Sequence, residues 1–304
     1  MKYKKKYGRK DAWDKITDQI LADLDKGVIP WRKPWSVPIG EYPHNAVTKR
    51  RYSGINAIVT GSSDYTDPRW VTWGQARGLG GNVRAGQRGT TVVWWKVTDK
   101  SEEQTDPKTG EVLIDEETGQ PVTKTKKNFF LGGHTIFNVQ QCENLDLPEL
   151  DPDSKPEFDP IERAEEIVQG YTDRPPVVHD GGDQAYYIKT RDTIHLPKRQ
   201  SFDGADEYYS TLFHEFGHST GHSSRLDRPT LTESNSFGSH DYGREELTAE
   251  FNTAYLTHEA GIKSTLENST AYLDNWKKAI KADKKIVERA GSLGWKSAEY
   301  ILNQ

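Results

Sequence analysis

Hydrophobic residues near the start of the chain recur every three or four positions, as they do on one face of an amphipathic helix. They predict a helix over Asp11 to Lys26, with Gly27 in the position where many helices end. The apolar face consists of Trp13, Ile16, Ile20 and Leu24.

From Tyr52 to Asn138 the hydrophobic pattern changes to short β-type runs separated by glycine-rich turns. Strands are predicted over Thr90 to Val97 and over Asn128 to Phe137, with a short helix over Gln75 to Leu79. A charged stretch at about 99–127 joins the two strands. It predicts either a protruding hairpin or a partly disordered insertion.

The second half begins after a segment rich in proline and aspartate, residues 147–160, which predicts an interdomain linker. The patterns beyond it predict a helix over Ile161 to Gln169, strands over Tyr186 to Ile188 and Thr193 to Leu196, a helix over Ser201 to His222, a helix that carries Glu246, and a helical tail over Ser269 to Leu302. The fold class is therefore predicted as α+β, with a small β-rich domain at 1–146 and a second domain at 161–304.

The helix predicted over Ser201 to His222 contains the segment His214-Glu215-Phe216-Gly217-His218. Its two histidines lie one turn apart on one face, where both can reach a single tetrahedral zinc ion. Glu215 is offset around the helix and can act as general base on a water molecule. The motif predicts a zincin-like metallopeptidase site, but it also arises by chance in unrelated helices, so further ligands are needed to support it.

An acidic helix downstream supplies candidates for the third ligand that a catalytic zinc site requires. We choose Glu246, and we expect Glu250, one turn further on the same face, to orient a ligating histidine. Asp241, Glu245 and Glu250 remain alternative ligands. An acidic cluster can also be a solvated helix face, and the upstream histidine pair is what favours the ligand interpretation.

His222 suggests a longer zinc signature in which a third histidine completes the site, but the spacing differs. That signature places its last histidine where this chain has Ser224. His222 is therefore interpreted as a histidine at a helix end, or as a polar group that lines the cleft. His240 and Tyr242 are candidates to donate a hydrogen bond to an oxyanion, although each can equally be an ordinary loop residue.

The composition is that of a soluble globular chain, because 33% of its 304 residues are hydrophobic and 29% are charged. No membrane span is predicted, since there is no apolar run of 18 residues. No apolar segment follows the basic N-terminus, so secretion is not predicted either. The single cysteine, Cys142, excludes an internal disulfide framework, fits the cytoplasm, and leaves histidine and carboxylate as metal ligands.

Charge is unevenly distributed along the chain. Residues 1–97 hold 18 basic and 8 acidic residues, a net charge of +10, whereas the whole chain carries −5. Basic residues interleaved with aromatic ones suit single-stranded DNA, because cations contact phosphates and flat rings stack on bases. The DNA-binding candidates are Trp31, Arg32, Lys33, Trp35, Arg50, Arg51, Tyr52, Asn56, Arg84, Arg88 and Lys96. Alternatively, the charges are simply solvated, and a small β-rich core is packed by Trp70, Trp73, Trp94 and Trp95.

Blocks of sequence in both halves carry a resemblance to a known family. They are Pro30 to Trp35, Asn45 to Asn56, Trp70 to Ala76, Phe137 to Val139, Ala185 to Tyr187, Asp192 to Pro197, Tyr208 to His218, Thr220 to His222 with Arg225 and Leu226, Tyr242 to Glu250, and Ala271 to Trp276. In order and combination they resemble the ArdC-type antirestriction proteins, which join an N-terminal single-stranded-DNA-binding domain to a C-terminal zinc metallopeptidase domain. The insertion at about 99–127 is the most individual part of this chain, and nothing is carried over onto it.

The resemblance implies a cytoplasmic protein of a plasmid, phage or other mobile element that binds incoming single-stranded DNA and helps it to evade host restriction. It implies one Zn²⁺ per chain, or another divalent metal, held by His214, His218 and Glu246, with Glu215 as general base. The protein substrate stays open, and a host restriction or DNA-processing factor is one candidate. Two alternatives remain: a DNA-binding shield whose metal domain is structural or catalytically unused, and a peptidase that uses its basic domain only for location.

Overall fold

The first half of the chain is built on a four-stranded sheet. The computed structural model describes residues 12–38, 41–107, 109–115, 118–150, 159–232, 240–263 and 270–303. The first-half elements are α1 (Ala12–Asp25), β1 (His44–Asn45), α2 (Ile55–Gly61), β2 (Arg69–Thr72), α3 (Trp73–Gly78), β3 (Asn82–Val83), β4 (Thr90–Glu103), β5 (Thr123–Asn138) and β6 (Cys142–Glu143). The sheet has the order β1-β2-β5-β4, and β3 pairs separately with β6. The predicted apolar face of α1 is buried.

Strands β4 and β5 form a long antiparallel ribbon that reaches into the insertion. Their register runs without interruption from Thr90 opposite Ile136 to Glu103 opposite Thr123. The two predicted strands are confirmed, but each is longer than its hydrophobic pattern, because the ladder continues through charged residues. Of the two interpretations of the insertion, its described residues adopt the hairpin.

The second half combines a three-stranded sheet with a group of helices. Its elements are α4 (Pro160–Gly170), β7 (Val177–His179), β8 (Tyr186–Ile188), β9 (Thr193–Leu196), α5 (Ala205–Ser219), α6 (Pro229–Thr232), α7 (His240–Ala260), α8 (Thr270–Ala282) and α9 (Ile286–Leu302). The sheet order is β7-β9-β8, so β8 lies at an edge. Both predicted strands are confirmed, and so is the predicted helical tail, whose described residues form the two helices α8 and α9.

The predicted linker falls largely at 151–158, which lies outside the described residues. Among the helices that are described, none has the length and apolar character that crossing a bilayer requires.

One hydrophobic cluster contains buried residues from both halves of the chain. Trp31, in the 3-10 turn Pro30–Arg32, packs against Phe251 and Trp276, with ring centroids 5.2 and 5.9 Å apart. Burial of a large apolar side chain stabilises a fold by about 1.5–3 kcal/mol. These contacts therefore fix the turn against α7 and α8, and the two predicted domains share a core.

Candidate metal centre and nucleic-acid cleft

Helices α5 and α7 pack closely at the two histidines. His214 and His218 project from one face of α5, one turn apart. Gly217 lies beside them and faces α7, where an added Cβ atom would stand only 2.9 Å from the Cα of Ala249. The missing side chain allows the close approach that brings Glu246 of α7 to the histidines.

The three predicted ligands converge on one point. The Nε2 atoms of His214 and His218 are 3.2 Å apart. Oxygens of the Glu246 carboxylate lie 3.7 Å from the first nitrogen and 3.6 Å from the second. Two nitrogens bound to one tetrahedral zinc ion at about 2.0–2.1 Å are about 3.3 Å apart. Because the three ligand atoms all lie within 4.8 Å of one another, the donor set fits a small divalent cation.

The charges around this point favour a cation. Burial raises the pKa of Glu246, but His218 and His214 outweigh burial and lower the pKa to about 2. Burial lowers the pKa of His218, but Glu246 and Glu245 outweigh that effect and raise the pKa to about 9. The pKa of His214 also rises, against the effect of its burial, because of Glu246. The carboxylates therefore stabilise positive charge at the rings, as they would stabilise a bound metal ion.

Glu215 lines the same cleft as the three predicted ligands. Its side chain is buried, and burial raises the pKa of the carboxyl group against the lowering effect of His214 and His218. A hydrogen bond from the backbone of Tyr187 also acts on this carboxylate. A carboxylate with a raised pKa takes up a proton more readily, which is the property that a general base needs.

Glu245 supports His218 from behind. Its Oε1 lies 3.5 Å from the Nδ1 of His218. Arg228 donates from Nε to its Oε2 at 3.1 Å, and the Thr230 hydroxyl donates to the same oxygen at 2.6 Å. Burial raises the pKa of Glu245, but Arg228 and His218 outweigh it and hold the pKa far below the usual range. Glu245 is thus an ionised carboxylate that orients a histidine.

The prediction that Glu250 orients a ligating histidine is wrong. Arg32 donates from Nε to Oε2 of Glu250 at 2.8 Å, and a second contact makes the pair bidentate. Both side chains are 4% exposed. The Nδ1 atom of His214 is buried and has no hydrogen-bond partner among the described residues. The side chain of Asp241, another alternative ligand, lies outside the described part of the structure.

The three remaining predicted site residues, Tyr242, His222 and His240, differ in their positions. Tyr242 lines the cleft and makes a side-chain hydrogen bond to Glu246. His222 follows the end of α5, where its Nδ1 lies 2.8 Å from the Ser224 hydroxyl, and it is not among the described residues that line the cleft. His222 is therefore a helix-end histidine. The side chain of His240 lies outside the described residues.

The candidate metal centre opens into a cleft of about 610 Å³. The edge strand β8 forms one wall, where Tyr186 and Tyr187 line the cleft. Asp192 accepts hydrogen bonds from the Tyr187 hydroxyl at 2.6 Å and from Nη1 of Arg225 at 3.0 Å. This network fixes the β8–β9 turn relative to the end of α5. Arg225 lies 33 residues from Asp192 in the sequence, so spacing gives no signal for this contact.

A second cleft, of about 890 Å³, lies between the first-half sheet and α9. It brings together Arg50, Arg51, Tyr52 and Asn56, which are four of the predicted DNA-binding residues. The remaining wall includes Trp94 and His134 of the ribbon and Trp295 and Lys296 of α9. The contribution of α9 was not predicted, because that helix belongs to the other end of the chain.

Three predicted DNA-binding residues lie against protein instead. Trp31 is 1% exposed and Arg32 is 6% exposed, so the prediction that they contact DNA is wrong. The aromatic and basic pattern at this point builds the core. The Trp35 ring packs against His258 and Tyr42, with centroids 4.3 and 5.7 Å apart, so its faces are taken up by protein.

The other predicted DNA-binding residues are divided between structural and exposed positions. Asn56 donates to the Val93 carbonyl at 2.7 Å and accepts from its N–H at 2.9 Å, which ties α2 to β4. Lys33 pairs with Asp64 at 2.6 Å. Outside the second cleft, exposed basic side chains are found at Arg84, Arg88 and Lys96.

Two parts of the chain match protein-family models. Residues 10–137 match the N-terminal domain of anti-restriction factor ArdC, and residues 162–293 match the zincin-like metallopeptidase domain. Two crystal structures of the antirestriction ArdC protein from the R388 plasmid, metal-free and Mn(II)-bound, are 30% identical to the chain. Each match covers 97% of this chain. The metal-free structure is covered to 97% of its length with a TM-score of 0.68, and the Mn(II)-bound structure to 98% with a TM-score of 0.71. The chain belongs to the ArdC antirestriction family.

This ArdC-family chain is also similar to longer proteins. It is 36% identical over 303 residues to two DNA primase TraC proteins of Escherichia coli. The similarity covers 97% of the chain but only 20% and 27% of those relatives, so the chain spans about a fifth to a quarter of their length. It is 30% identical over 298 residues to the uncharacterized protein y4eC of Sinorhizobium fredii, of which it covers 91%.

Proposed function

We propose that this protein binds the single-stranded DNA of a mobile element, protects it from host restriction in the cytoplasm, and carries a zinc-dependent peptidase site. The convergence of His214, His218 and Glu246 beside the buried carboxylate of Glu215 is the observation that carries the peptidase proposal. Membership of the ArdC family supports the antirestriction role.

His214, His218 and Glu246 would hold one divalent ion per chain. We choose Zn²⁺, because two imidazoles and a carboxylate in this arrangement match its preferred ligands. When bound, the ion would polarise a peptide carbonyl and lower the pKa of a water molecule. The related R388 protein has a Mn(II)-bound structure, so Mn²⁺ is the second ion to include in a binding competition.

Glu215 is proposed to accept the proton of the attacking water and to pass it to the leaving amine. Its buried position and raised pKa suit both transfers. Glu245 and Tyr242 would hold His218 and Glu246 in position, because each makes a polar contact with one ligand.

An extended peptide is the substrate class that the cleft fits. In the described part of the chain, β8 pairs with β9 along one edge only. Its other edge can bind an extended peptide through main-chain hydrogen bonds, with side-chain preferences set by alternate residues. A host restriction or DNA-processing protein is the proposed source of that peptide.

The peptidase proposal is tested by replacing Glu215 with Gln. We expect Glu215→Gln to keep its fold and its metal content but to lose proteolysis of a casein or denatured-protein substrate, with a fall in rate of about 10²-fold or more. Glu207→Gln is the matched control, because Glu207 lies on the same helix outside the cleft. Wild-type rates in Glu215→Gln would exclude Glu215 as the base.

The DNA-binding proposal is supported by the second cleft, where Arg50 and Arg51 are exposed next to the ring of Tyr52. Arg50→Glu with Arg51→Glu should reduce affinity for single-stranded DNA and leave peptidase activity unchanged. Equal affinity of this variant and the wild type would remove the second cleft from the proposal.

A DNA-binding shield is the second candidate function. It is favoured by the position of α9, which lines the second cleft and also packs in the shared core. A metal ion that orders the second half of the chain would then support DNA binding without any catalysis of peptide hydrolysis. An antirestriction assay separates the candidates. Loss of protection in Glu215→Gln supports the peptidase, whereas full protection in Glu215→Gln and loss in the Arg50 and Arg51 variant support the shield.

A further inference from the structure

The two faces of the β4–β5 ribbon carry opposite net charge. Residues paired across the ribbon share a face, and faces alternate along each strand, so the uninterrupted register assigns even numbers to one face and odd numbers to the other. The even face beyond the cleft carries Lys96, Lys100, Glu102, Lys124 and Lys126, a net charge of +3. The odd face carries Asp99, Glu103 and Lys127, a net charge of −1.

The even face continues directly from the second cleft. Trp94 lies on it, opposite Gly132, and an added Cβ atom at Gly132 would strike the Trp94 ring at 2.2 Å. Trp94 stacks on His134 with ring centroids 5.7 Å apart, and both residues line the cleft. The odd face is covered at the same level, because a Cβ atom at Gly133 would lie 2.3 Å from Ala12 of α1.

Fold stability does not account for the lysines of the even face. Lys100 and Lys126 stand directly opposite each other, and like charges in that position destabilise a sheet. Their side chains are 60% and 64% exposed, and Glu102 contacts both, at 3.2 and 3.6 Å. One carboxylate thus offsets part of a repulsion that a polyanion would offset more completely.

The second cleft has little positive charge of its own. Its charged lining residues are Arg50, Arg51, Lys296, Glu288 and Glu299, a net charge of +1. It offers aromatic rings and polar groups for bases, but few cations for the phosphates of a bound strand. The even face of the ribbon carries further cations beyond Trp94, along a strand length of about 26 Å between Trp94 and Glu102 at about 3.3 Å per residue.

We propose that the even face of the β4–β5 ribbon is a track for the phosphate backbone of single-stranded DNA whose bases enter the second cleft near Trp94. This inference rests on the proposed DNA-binding function, and it assigns a role to the charged insertion at about 99–127. Electrostatic contacts of this kind depend on salt and are insensitive to base sequence.

A matched pair of substitutions on neighbouring residues tests the track. Lys126→Gln and Lys127→Gln remove the same charge from adjacent exposed positions on opposite faces. Affinity for an oligonucleotide of about 20 nucleotides is measured at about 50 and 200 mM salt. The logarithm of affinity falls linearly with the logarithm of salt concentration, and each lost phosphate contact on a single strand makes this slope shallower by about 0.7. Between the two salt concentrations, the fold decrease in the affinity of Lys126→Gln should therefore be about three times smaller than that of the wild type. Lys127→Gln should behave as the wild type.

Two more variants strengthen the test. The triple replacement of Lys100, Lys124 and Lys126 by Gln should lower the slope by about 2, which is about a 20-fold difference over the same salt range. Glu102→Gln should tighten binding, a gain that misfolding cannot produce. An oligonucleotide of about 6 nucleotides, long enough for the cleft alone, should bind all variants equally.

The outcomes separate the track from the function on which it rests. No binding by the wild type to either oligonucleotide would reject the DNA-binding function itself. Wild-type binding with equal affinities for Lys126→Gln and Lys127→Gln would reject the track alone. Equal effects of the triple variant on duplex DNA of the same length would overturn the assignment to a single strand.

Discussion

Glu245 links the candidate ligand His218 to a buried arginine. Its carboxylate contacts the Nδ1 of His218 on one side and Arg228 with Thr230 on the other. A carboxylate in this position fixes the tautomer and orientation of the ring, so that Nε2 faces the site. Side chains that do not touch the metal therefore define the geometry of those that would.

Replacing Glu245 with Gln should weaken metal binding by about 10- to 100-fold, because the ring of His218 loses its charged partner. It should also destabilise the protein by about 3–5 kcal/mol, since Arg228 is left as a buried charge without its carboxylate. Metal competition with a chromophoric chelator measures the first effect, and denaturant unfolding measures the second. Unchanged metal affinity would show that Glu245 serves Arg228 only.

Helices α5 and α7 meet at glycine and small side chains, which sets the distance between the histidines and Glu246. Gly217 faces Ala249, and Asn252 of α7 donates to the Phe213 carbonyl at 2.7 Å. The site thus depends on the separation of two helices, and small changes of that separation move Glu246 relative to both rings.

Gly217→Ala should destabilise the protein by about 1–3 kcal/mol, because the added methyl group would lie 2.9 Å from the Cα of Ala249 and force the helices apart. It should also lower metal affinity. Gly243→Ala is the control on α7, where nothing lies within 4 Å of the added atom and alanine favours a helix by about 0.5–1 kcal/mol. Similar unfolding midpoints for the two variants would contradict the close-packing argument.

Much of this arrangement follows from local sequence. A sequence displays directly the period of two residues that marks strands and the period of 3.6 residues that marks helices. The first predicts the strands Tyr186–Ile188 and Thr193–Leu196. The second underlies the convergence of His214, His218 and Glu246. The helix that carries His214 and His218 begins at Ala205 and not at the predicted Ser201, because Arg199–Ser201 forms a 3-10 turn.

Helical periodicity cannot distinguish the roles of Glu245 and Glu250, since both lie on the inner part of α7 near Glu246. Their roles depend on their partners elsewhere in the chain, which are Arg228 for Glu245 and Arg32 for Glu250. For the same reason the Pro30-to-Trp35 block could not be assigned to a DNA surface or to a core. Aromatic and basic residues are found both on DNA-binding surfaces and in cores, and only the packing of Trp31 against the distant Phe251 identifies this block as core.

The two halves of the chain are joined by several buried contacts. His258 of α7 donates from Nε2 to the Glu41 carbonyl of the first half at 2.8 Å. Its ring lies against Trp35, with centroids 4.3 Å apart. Burial lowers the pKa of His258, although the Glu41 carbonyl and Glu259 act in the opposite direction.

The lowered pKa predicts a loss of stability in mild acid. An unfolded histidine takes up a proton as the pH falls through about 6.5, whereas the folded one resists until a lower pH, so unfolding is favoured in that window. The free energy of unfolding should fall more between about pH 7.5 and 5.5 in the wild type than in His258→Gln. Parallel pH profiles for the two proteins would show that this ring does not contribute.

The buried pair between Arg32 and Glu250 has a consequence for how such proteins can be recombined. Either charge alone, enclosed in the joint core, would be left without compensation. A hybrid whose halves come from different relatives is therefore expected to fold only when the donors bring a matching arginine and glutamate, or an uncharged couple of similar volume. The two residues of this buried pair therefore have to be inherited together, which limits the exchange of N-terminal halves among relatives.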